Sequence, residues 1–487
     1  MPIPVLNEKQ KPAFNRHPIQ EEQESIVRRK PLRTKTLRKI FLIFFVLLLI
    51  FTGGAIWKLN AIGGKIFNSR FSFFQQAADF ITGNRAGAMD GENQDQINIL
   101  LLGYGGEGHD GPYLTDSMLL ASVRPADKKI ILTSIPRDYY YPSGLGEKIN
   151  AAFPSGFGNQ YKITGRDLEN GGAAAEAAVE KLSGMNIPYF VSMDFQGFED
   201  AVNRVGGIRV DVQNSFTDYA FPNGDNNASG PWCMAPPGDT TSACRYIEVH
   251  FDAGPQTMNG LTALQFVRSR HAQGVEGTDF ARGKRQQLVL EAFKNKMEQL
   301  NLFSNASDIN DLINILANHL HTNLTLAQAN HLFQIFRQPG MQVISQSLDP
   351  DTGLVCNGKL PTDGADIVQP CGGISDSQIA QFFQNGFETA PVRNERAGII
   401  LENYNASYTE YQQIKKEIKD AGIVVYETPY HYQPLNQSVI YTVDSKPNTQ
   451  AFLEKLLNVT AEPLPSNMRA EADLVVVIAD NGSQGSN

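Results

Sequence analysis

The sequence has few cysteines and histidines, the residues that bind zinc and serve as thiol nucleophiles or imidazole bases in many enzymes. It contains only four cysteines and eight histidines among 487 residues. No Cys-x-x-Cys spacing occurs, and His319 and His321 lie two apart on a predicted helix, so their side chains face apart and do not suit zinc. The G-x-S-x-G motif of serine hydrolases is absent. The remaining candidates for chemistry are arginines, a lysine and carboxylates around a polyanion, with a divalent ion.

A dinucleotide-binding helix is also absent, although Gly103–Gly108 matches G-x-G-x-x-G. That fingerprint requires a helix to begin at the glycines. Here His109-Asp-Gly-Pro follows, and the next predicted element is a strand over Ser117–Val123. The glycines therefore predict a turn that lets backbone approach a ligand. Asp116 lies between this turn and the strand, a suitable place for a metal-binding carboxylate.

Positive charge is concentrated in the first 39 residues. They carry ten Lys or Arg and four acids, a net +6, so the total of −9 leaves −15 for the remainder. An acidic remainder argues against a nucleic-acid partner. Ile40–Leu59 is apolar over about twenty residues, long enough to span a bilayer.

The positive charge before this span predicts its orientation. We expect a disordered cytoplasmic tail over residues 1–39, a transmembrane helix over 40–59, and the bulk of the chain outside the cytoplasmic membrane. The protein would then be a single-pass protein of the cell membrane. The alternative is a cleaved signal peptide, for which the apolar run is long and the small-residue site weak.

The four cysteines form two local pairs. In an exported domain this pattern predicts disulfides between Cys233 and Cys244 and between Cys356 and Cys371. Reduced, unrelated thiols are the alternative.

Buried strands alternate with helices from Ile97 onward, which predicts an α/β/α sandwich around a central mixed sheet. We expect a connector over residues 60–96, a main domain over 97–391, a linker over 385–397 and a small α/β domain over 398–484. Residues 213–247 form a predicted surface insertion, and Leu312–Leu320 a predicted helix.

Arginines cluster between residues 263 and 286. Ala263–Arg270 is predicted as a strand that presents Arg268 and Arg270 on one face. A helix is predicted to begin near Asp279, with Asp279, Arg282 and Gln286 on one face. A helix N-terminus surrounded by arginines favours phosphate or pyrophosphate. A solvated, charged helix start is the alternative.

Several motifs occur in order over residues 97–300. They are Thr115-Asp-Ser, Ser134-Ile-Pro-Arg-Asp, Lys148-Ile-Asn, Val205-Gly-Gly-Ile-Arg-Val-Asp, Leu261–Leu264, Val267-Arg-Ser-Arg, Asp279-Phe-Ala-Arg and Arg285-Gln-Gln. As a set they resemble the LytR-CpsA-Psr family of membrane-anchored cell-wall ligases. Residues 398–484 resemble the C-terminal module of some members. The sequence has Leu114 where the family commonly has an arginine, and the Gly103–Gly111 loop with His109 is expected to supply replacement donors.

The resemblance implies a phosphotransferase that moves a glycopolymer from a polyprenyl-diphosphate carrier to peptidoglycan. It implies catalytic roles for Asp279, Arg282 and Arg137. It implies that Asp116 and Asp279 hold Mg²⁺. The residues it assigns to the substrate are Arg137, Lys148, Arg268, Arg270, Arg282 and Gln286.

Two other functions stay open: a non-catalytic binder of polyprenyl phosphate, and a polyprenyl-diphosphate hydrolase. A polyprenyl tail requires long apolar contact, so we also expect an apolar groove between the sheet and the helix Arg285–Met297.

Overall fold

The computed structural model describes most of the chain from residue 88 onward. The described ranges are 88–109, 111–141, 147–158, 162–222, 246–277, 279–299, 319–336, 338, 340–360, 362–428, 437–466 and 468–479. The predicted tail, the span Ile40–Leu59, most of the 60–96 connector and the pair Cys233–Cys244 lie outside these residues. Among those described, no helix combines the length and apolarity needed to cross a membrane.

The elements follow one another along the chain in two series. The strands of the larger part are β1 (Ile97–Tyr104), β2 (Thr115–Arg124), β3 (Lys129–Ile135), β4 (Tyr140–Tyr141), β5 (Glu147–Lys148), β6 (Tyr189–Asp194), β7 (Ile208–Val212), β8 (Phe216–Pro222), β9 (Tyr246–Phe251), β10 (Gly254–Met258), β11 (Leu320–Thr322), β12 (Gln342–Ser347), β13 (Val355–Lys359) and β14 (Asp366–Pro370). Its helices are α1 (Ala152–Ser155), α2 (Gly165–Ser183), α3 (Phe195–Arg204), α4 (Gly260–Arg268), α5 (Asp279–Gln299), α6 (Leu326–Phe336), α7 (Asp376–Gln384) and α8 (Gly386–Glu395).

A six-stranded mixed sheet forms the centre of this part, in the order β11-β6-β1-β2-β3-β12. Strand β1 pairs antiparallel with β2 and parallel with β6. Because side chains alternate along a strand, Ile97 and Ile99 enter one core while Leu100 and Leu102 enter the other. Helices α3–α6 cover the first core and α1, α2 and α7 the second. The predicted α/β/α sandwich around a mixed sheet is the architecture observed.

The C-terminal part has its own sheet and core. It comprises β15 (Gly398–Asn403), α9 (Tyr408–Asp420), β16 (Val424–Glu427), β17 (Val439–Thr442), α10 (Pro447–Leu457), β18 (Glu462–Pro463) and β19 (Leu474–Ile478). The sheet order is β16-β15-β19-β17-β18. Leu401, Ile440, Leu453 and Val476 lie in its core. Strands and helices alternate here as the sequence predicted, and the assignment of residues 398–484 as a separate C-terminal domain stays a prediction.

The prediction of a strand over Ala263–Arg270 is wrong, since helix α4 occupies Gly260–Arg268. The side chain of Asn259 accepts a hydrogen bond from the amide of Thr262 and caps this helix. Arg268 therefore stands in the last turn of a helix and Arg270 beyond its end, rather than together on one strand face.

The predicted linker over residues 385–397 is also wrong, because α8 fills most of it. Pro391 lies inside this helix, where proline is ordinarily unfavourable. Phe387 and Ala390 are buried, and burial outweighs the low helix propensity of proline. The main and C-terminal parts are therefore joined by a packed helix.

Two further predictions fall near the edges of the described ranges. Leu320, predicted to end a helix, begins strand β11, and residues 301–318 lie outside the described residues. Cys356 and Cys371 form a disulfide with their Cα atoms 5.0 Å apart, as predicted.

Candidate functional site: an arginine-lined anion pocket

Four parts of the chain that are distant in sequence meet around a pocket of about 230 Å³. They are the start of β2, the turn after β3, the paired ends of β8 and β9 at Pro222 and Tyr246, and the region from the end of α4 to the first turn of α5. The predicted site residues that line the pocket are Asp116, Arg137, Arg268, Arg270 and Arg282, together with Ser117 and His271. We call this cavity the anion pocket, because four guanidinium groups line it.

Strand register brings the first two of these residues together. Met118 of β2 pairs with Ile135 of β3 in an antiparallel register. Asp116, two residues before Met118, therefore lies beside Arg137, two residues after Ile135. Arg137 donates a hydrogen bond through Nη1 to the Asp116 carboxylate. Such a charge-assisted bond fixes the direction of both side chains.

Asp138 neutralises part of the positive charge around the pocket. Lys148 donates to its carboxylate over 2.7 Å, and Arg270 Nη1 donates over 3.4 Å. Burial raises the pKa of Asp138, but Arg137, Lys148 and Arg270 together lower it below the usual value for a carboxyl. Lys148 does not line the anion pocket. Lys148 contacts Asp138, which in turn contacts Arg137 and Arg270, so Lys148 acts on the anion pocket through Asp138.

Arg268 is held against aromatic rings. Its guanidinium carbon lies 4.3 Å from the centre of the Phe195 ring and 5.4 Å from that of Phe221. Burial lowers the pKa of Arg268, while the Asp116 carboxylate opposes that shift. A cation packed on rings in this way is less hydrated than one in water and interacts more strongly with an anion.

The carboxylate of Asp218 fixes the chain that carries Arg270, a role that no motif in the sequence predicts. Asp218 is fully buried. It accepts hydrogen bonds from the Ser269 hydroxyl at 2.6 Å, the Arg270 amide at 2.9 Å and the His271 amide at 3.1 Å. Burial raises the pKa of Asp218, but these hydrogen bonds lower it below its usual value. Asp218 is therefore a positioning residue.

Arg285 supports the site and does not line the pocket. It is 2% exposed and donates to the carbonyl oxygens of Phe266 at 3.0 Å and Ser269 at 2.5 Å, and to the Glu276 carboxylate at 2.8 Å. Burial lowers its pKa to about 10, while Glu276 opposes that shift. These bonds tie the first turns of α5 to the end of α4.

Helix α5 begins at Asp279, as the sequence predicted, and brings Arg282 and Gln286 to the site. Arg282 is 6% exposed and lines the pocket. Gln286 Nε2 donates to the Ser117 hydroxyl over 3.1 Å. The side chain of Asp279 lies outside the described residues, so its catalytic and metal-binding roles stay predictions.

A second cavity adjoins the anion pocket, and we call it the sheet-edge groove. It has a volume of about 430 Å³ and lies between the sheet and the first turns of α5. Its lining combines the apolar residues Leu119, Leu132, Val343 and Ile344 with polar and charged ones, among them Lys129, Lys284, Gln342 and Gln346. Gln286 also lines it and hydrogen-bonds to Ser117 of the anion pocket. A groove was predicted along Arg285–Met297. It instead lies over Gly283, Lys284 and Gln286 and extends across β3 to β12.

The glycine-rich segment forms a turn, as predicted. Gly106 and Gly108 have φ of 86° and 94°, in the left-handed region that favours glycine, and the amide of Gly106 donates to Pro112 O over 2.7 Å. His109 packs edge-on to Phe195 with ring centres 5.7 Å apart. The turn therefore contacts the same Phe195 ring on which the Arg268 guanidinium packs.

Leu114, at the position where an arginine was expected from the family resemblance, is 37% exposed.

The residues around the anion pocket do not form a complete metal site by themselves. Among the residues that the structure describes, no group of three or more His, Cys, Asp or Glu side chains could hold a metal ion. Mg²⁺ is commonly held by one or two carboxylates together with phosphate oxygens and water. Asp116 fits that arrangement only when an anionic ligand supplies further oxygens.

The chain is similar in sequence to several known proteins. The chain is 29% identical over 287 residues to the polyisoprenyl-teichoic acid–peptidoglycan teichoic acid transferase TagU of Oceanobacillus iheyensis, covering 58% of this chain and 76% of that protein. It is 27% identical to the corresponding transferase TagV of Bacillus subtilis, covering 62% of this chain and 68% of that protein. The crystal structure of Bacillus subtilis TagV aligns with a TM-score of 0.39 at 22% identity, over 60% of this chain and 96% of that one. The LytR_cpsA_psr family model matches residues 68–365, which is more than half of the chain, and the protein belongs to that family.

Proposed function

We propose that this protein is a membrane-anchored transferase that moves a glycopolymer from a polyprenyl-diphosphate carrier to peptidoglycan. The observation that carries the proposal is the convergence of Arg137, Arg268, Arg270 and Arg282 on one pocket. Membership of the LytR_cpsA_psr family supports the same class of reaction. The named relatives in Oceanobacillus and Bacillus are teichoic acid transferases, which supports a glycopolymer as the transferred group.

The two adjoining cavities match the two parts of such a carrier. A diphosphate requires several cationic donors, and planar guanidinium groups bind its oxygens in pairs. A polyprenyl tail requires apolar surface, and in the sheet-edge groove the residues that could contact it are Leu119, Leu132, Val343 and Ile344. Gln286 and Ser117 lie where the groove and the pocket adjoin. The diphosphate would bind in the anion pocket, with the first isoprene units directed past Gln286.

The reaction proposed is an attack by an acceptor hydroxyl on the phosphorus that carries the glycan. A new P–O bond forms to the acceptor, and the bond to the bridging oxygen breaks. The bridging oxygen leaves with polyprenyl monophosphate and takes the electron pair, and the hydroxyl proton passes to a base. The arginines stabilise the negative charge that develops on the departing phosphate, through electrostatic preorganisation.

The part of Arg137 follows from its contacts. It is oriented by Asp116 and lies 3.5 Å from the Asp138 carboxylate through Nε. Its guanidinium is therefore aimed before the substrate arrives, which avoids reorganisation during the reaction. Asp116 and Asp279 would hold Mg²⁺, which when bound neutralises charge on the phosphate oxygens. Asp279 is also the proposed base, from its place at the start of α5.

The proposed anchor is the segment Ile40–Leu59, preceded by the net charge of +6. This arrangement places the anion pocket outside the cytoplasmic membrane, where peptidoglycan lies. The carrier lipid would then reach the site from the outer leaflet of the same membrane.

The experiment that tests this proposal measures transfer of a labelled glycan from its polyprenyl-diphosphate carrier onto isolated peptidoglycan, with and without Mg²⁺. Arg268→Ala is expected to abolish transfer. Arg124→Ala is the matched control, since Arg124 lies at the other end of β2 and pairs with Glu388 at 2.9 Å on the surface. Release of glycan phosphate into water without transfer would identify a hydrolase instead. Lipid binding without turnover of any acceptor would identify a binder.

A further inference from the structure

The paired strands β8 and β9 carry aromatic side chains on both of their faces. Phe216 and Phe251 lie in the core, where their ring centres are 5.1 Å apart. Tyr246, the first residue of β9, is 44% exposed. Because side chains alternate along a strand, Tyr246 lies on the face opposite to Phe251. The tyrosine is therefore carried by a buried pair of strands, while its own ring is open to a ligand.

The exposed ring lies at the anion pocket. Tyr246 lines this pocket, and so does Pro222, its partner across the two strands. The residue before Pro222 is Phe221, and the guanidinium carbon of Arg268 lies 5.4 Å from the centre of the Phe221 ring. The strand ends that carry the tyrosine thus lie beside one of the arginines proposed to bind the diphosphate.

Asp218 of β8 fixes these strands relative to the arginines. Its carboxylate accepts hydrogen bonds from the amides of Arg270 and His271, and its backbone forms a bridge with Ala272. Contacts of β8 therefore hold the strand pair against the chain that carries Arg270. The side chain of Tyr246 can be replaced without removing these contacts.

Exposure alone does not distinguish Tyr246, since single large apolar side chains are commonly exposed. Tyr219 on β8 is 59% exposed and does not line the anion pocket. The position of Tyr246 beside four guanidinium groups is what requires an explanation. The face of an aromatic ring carries partial negative charge and does not attract a phosphate. Neither Tyr246 nor Pro222 lines the sheet-edge groove, where the lipid tail is proposed to bind.

A sugar ring matches the surface at this end of the pocket. The C–H groups on its faces pack against aromatic and proline rings as other apolar groups do. Its hydroxyls require hydrogen-bonding partners, and His271, whose side chain is 40% exposed, lines the same pocket. Burial and the neighbouring Arg270 lower the pKa of His271, which favours the neutral ring. A neutral imidazole offers one donor and one acceptor to hydroxyls.

We propose that Tyr246 and Pro222 form a stacking face for a sugar ring bound next to the diphosphate, and that Tyr246 contributes to recognition of the saccharide. This inference rests on the proposed function, because it takes the anion pocket to hold the diphosphate of a glycan carrier. The ring comes either from the first sugar of the transferred glycan, which is bonded to the phosphate, or from the acceptor, whose hydroxyl must reach the phosphorus. Both sources present the same chemistry, and the two arms of the experiment separate them.

The first arm measures binding of undecaprenyl diphosphate, with and without an attached N-acetylglucosamine, to the full chain in mixed micelles. If the ring belongs to the transferred glycan, Tyr246→Ala should weaken the sugar-bearing lipid about tenfold and the bare diphosphate less than about twofold. Tyr246→Trp keeps an aromatic face and should retain the affinity for the sugar-bearing lipid. Tyr219→Ala is the matched control, an exposed tyrosine of the same strand pair outside the pocket, and should alter neither affinity.

The second arm measures kcat and KM for transfer onto a soluble peptidoglycan oligosaccharide. If the ring belongs to the acceptor, Tyr246→Ala should raise the KM for the oligosaccharide about tenfold with both lipid affinities unchanged, and Tyr246→Trp should restore it. Equal weakening of the bare and the sugar-bearing lipid, or no change in either arm, would overturn the stacking face and leave the carrier site intact. Failure of the unaltered protein to bind undecaprenyl diphosphate would instead overturn the proposed function and this inference with it.

Discussion

The hydroxyl of Ser269 donates to the carboxylate of Asp218 over 2.6 Å and joins β8 to the chain that leaves α4. The same carboxylate binds the next two amides, so it sets the backbone from which Arg270 extends. Asp218 does not line the anion pocket itself, but it determines where the backbone of Arg270, which does line it, lies.

Replacing Asp218 with alanine should reduce both stability and transfer. The change leaves the Ser269 hydroxyl and the amides of Ala220, Arg270 and His271 without their buried acceptor, and each lost bond to a charged group is worth about 1.5–3 kcal/mol. We expect a lowered free energy of unfolding in denaturant titrations. We also expect the molecules that remain folded to bind the lipid more weakly than the unaltered protein does. Asp218→Asn keeps an acceptor and should recover part of both. Unchanged binding in a folded Asp218→Ala protein would show that Arg270 does not depend on this turn.

Arg285 and Arg268 should separate stability from activity. Arg285 is paired with Glu276 in the interior, and breaking a buried pair costs about 3–5 kcal/mol. Arg285→Met should therefore lower the unfolding free energy strongly. Arg268→Lys keeps the charge but loses the planar fork, so it should impair transfer with little change in unfolding. Thermal unfolding and transfer rates, measured on both variants, test the pair. Equal profiles for the two variants would contradict the division of roles.

The residues of the site differ in how far the sequence predicts them. Helical spacing correctly placed Arg282 and Gln286 on one face, since that relation spans only four residues. The motif Ser134-Ile-Pro-Arg-Asp placed Arg137 at a strand end. The partners that Asp218 has on the chain carrying Arg270 lie 51 to 53 residues away, and local periodicity carries no information about such contacts.

Helix α4 shows a different limit. Apolar residues at Ala263, Leu264 and Phe266 followed by arginines fit a strand end and a helix equally over so short a run. The capping side chain of Asn259 was the local signal that favours the helix. The disulfide Cys356–Cys371, by contrast, joins β13 to the residue that follows its hairpin partner β14, and spacing was sufficient to predict it.

Asp138 should make the site sensitive to acid. Its pKa in the folded protein lies below the unfolded value of about 3.9. A depressed carboxyl pKa contributes stability that is fully present above the unfolded value and is lost as pH falls through the folded one. Unfolding free energies from pH 7 to pH 3 should therefore decline below about pH 4. In Asp138→Asn this decline should be smaller, and an identical slope in both proteins would refute the assignment.

Lys148 should act on the ligand through Asp138. Lys148→Met removes a cation that neutralises Asp138. The negative charge of Asp138 then acts more fully on Arg137 and Arg270, which lowers their attraction for a diphosphate. We expect weaker binding of the lipid diphosphate, and recovery in Lys148→Arg. In the double variant Lys148→Met/Asp138→Asn the loss should shrink, since the carboxylate is gone. A loss of the same size in that background would indicate direct contact between Lys148 and the ligand.

The topology proposed from the sequence predicts which side of the membrane each segment occupies. A cysteine introduced at Asp90, which is exposed, should react with a membrane-impermeant maleimide in intact cells. A cysteine introduced at Ser25, before the predicted span, should react only after lysis. The native cysteines are replaced by serine in both proteins. Labelling at residue 90 only after lysis would contradict the anchor and its orientation.

Asp279 distinguishes an enzyme from a binder. It is the first residue of α5, three positions before Arg282, which lines the anion pocket. If the site only holds a diphosphate, a carboxylate there repels the ligand, so Asp279→Asn should leave binding equal or tighter and no transfer would be seen in the unaltered protein. If the site is catalytic, Asp279 holds Mg²⁺ or accepts the proton of the acceptor hydroxyl. Asp279→Asn should then abolish transfer while lipid binding persists.

The matched control for this change is Asp211→Asn, an exposed aspartate on β7 that does not line the anion pocket. Transfer and lipid binding should both be unaffected by it. Lipid binding and transfer are measured on the same preparations with and without Mg²⁺, so a loss of metal affinity appears as a raised Mg²⁺ requirement. A loss of the base persists at saturating Mg²⁺. Undiminished transfer by Asp279→Asn would exclude both roles and move the search for the base to Asp116, the described carboxylate in the anion pocket.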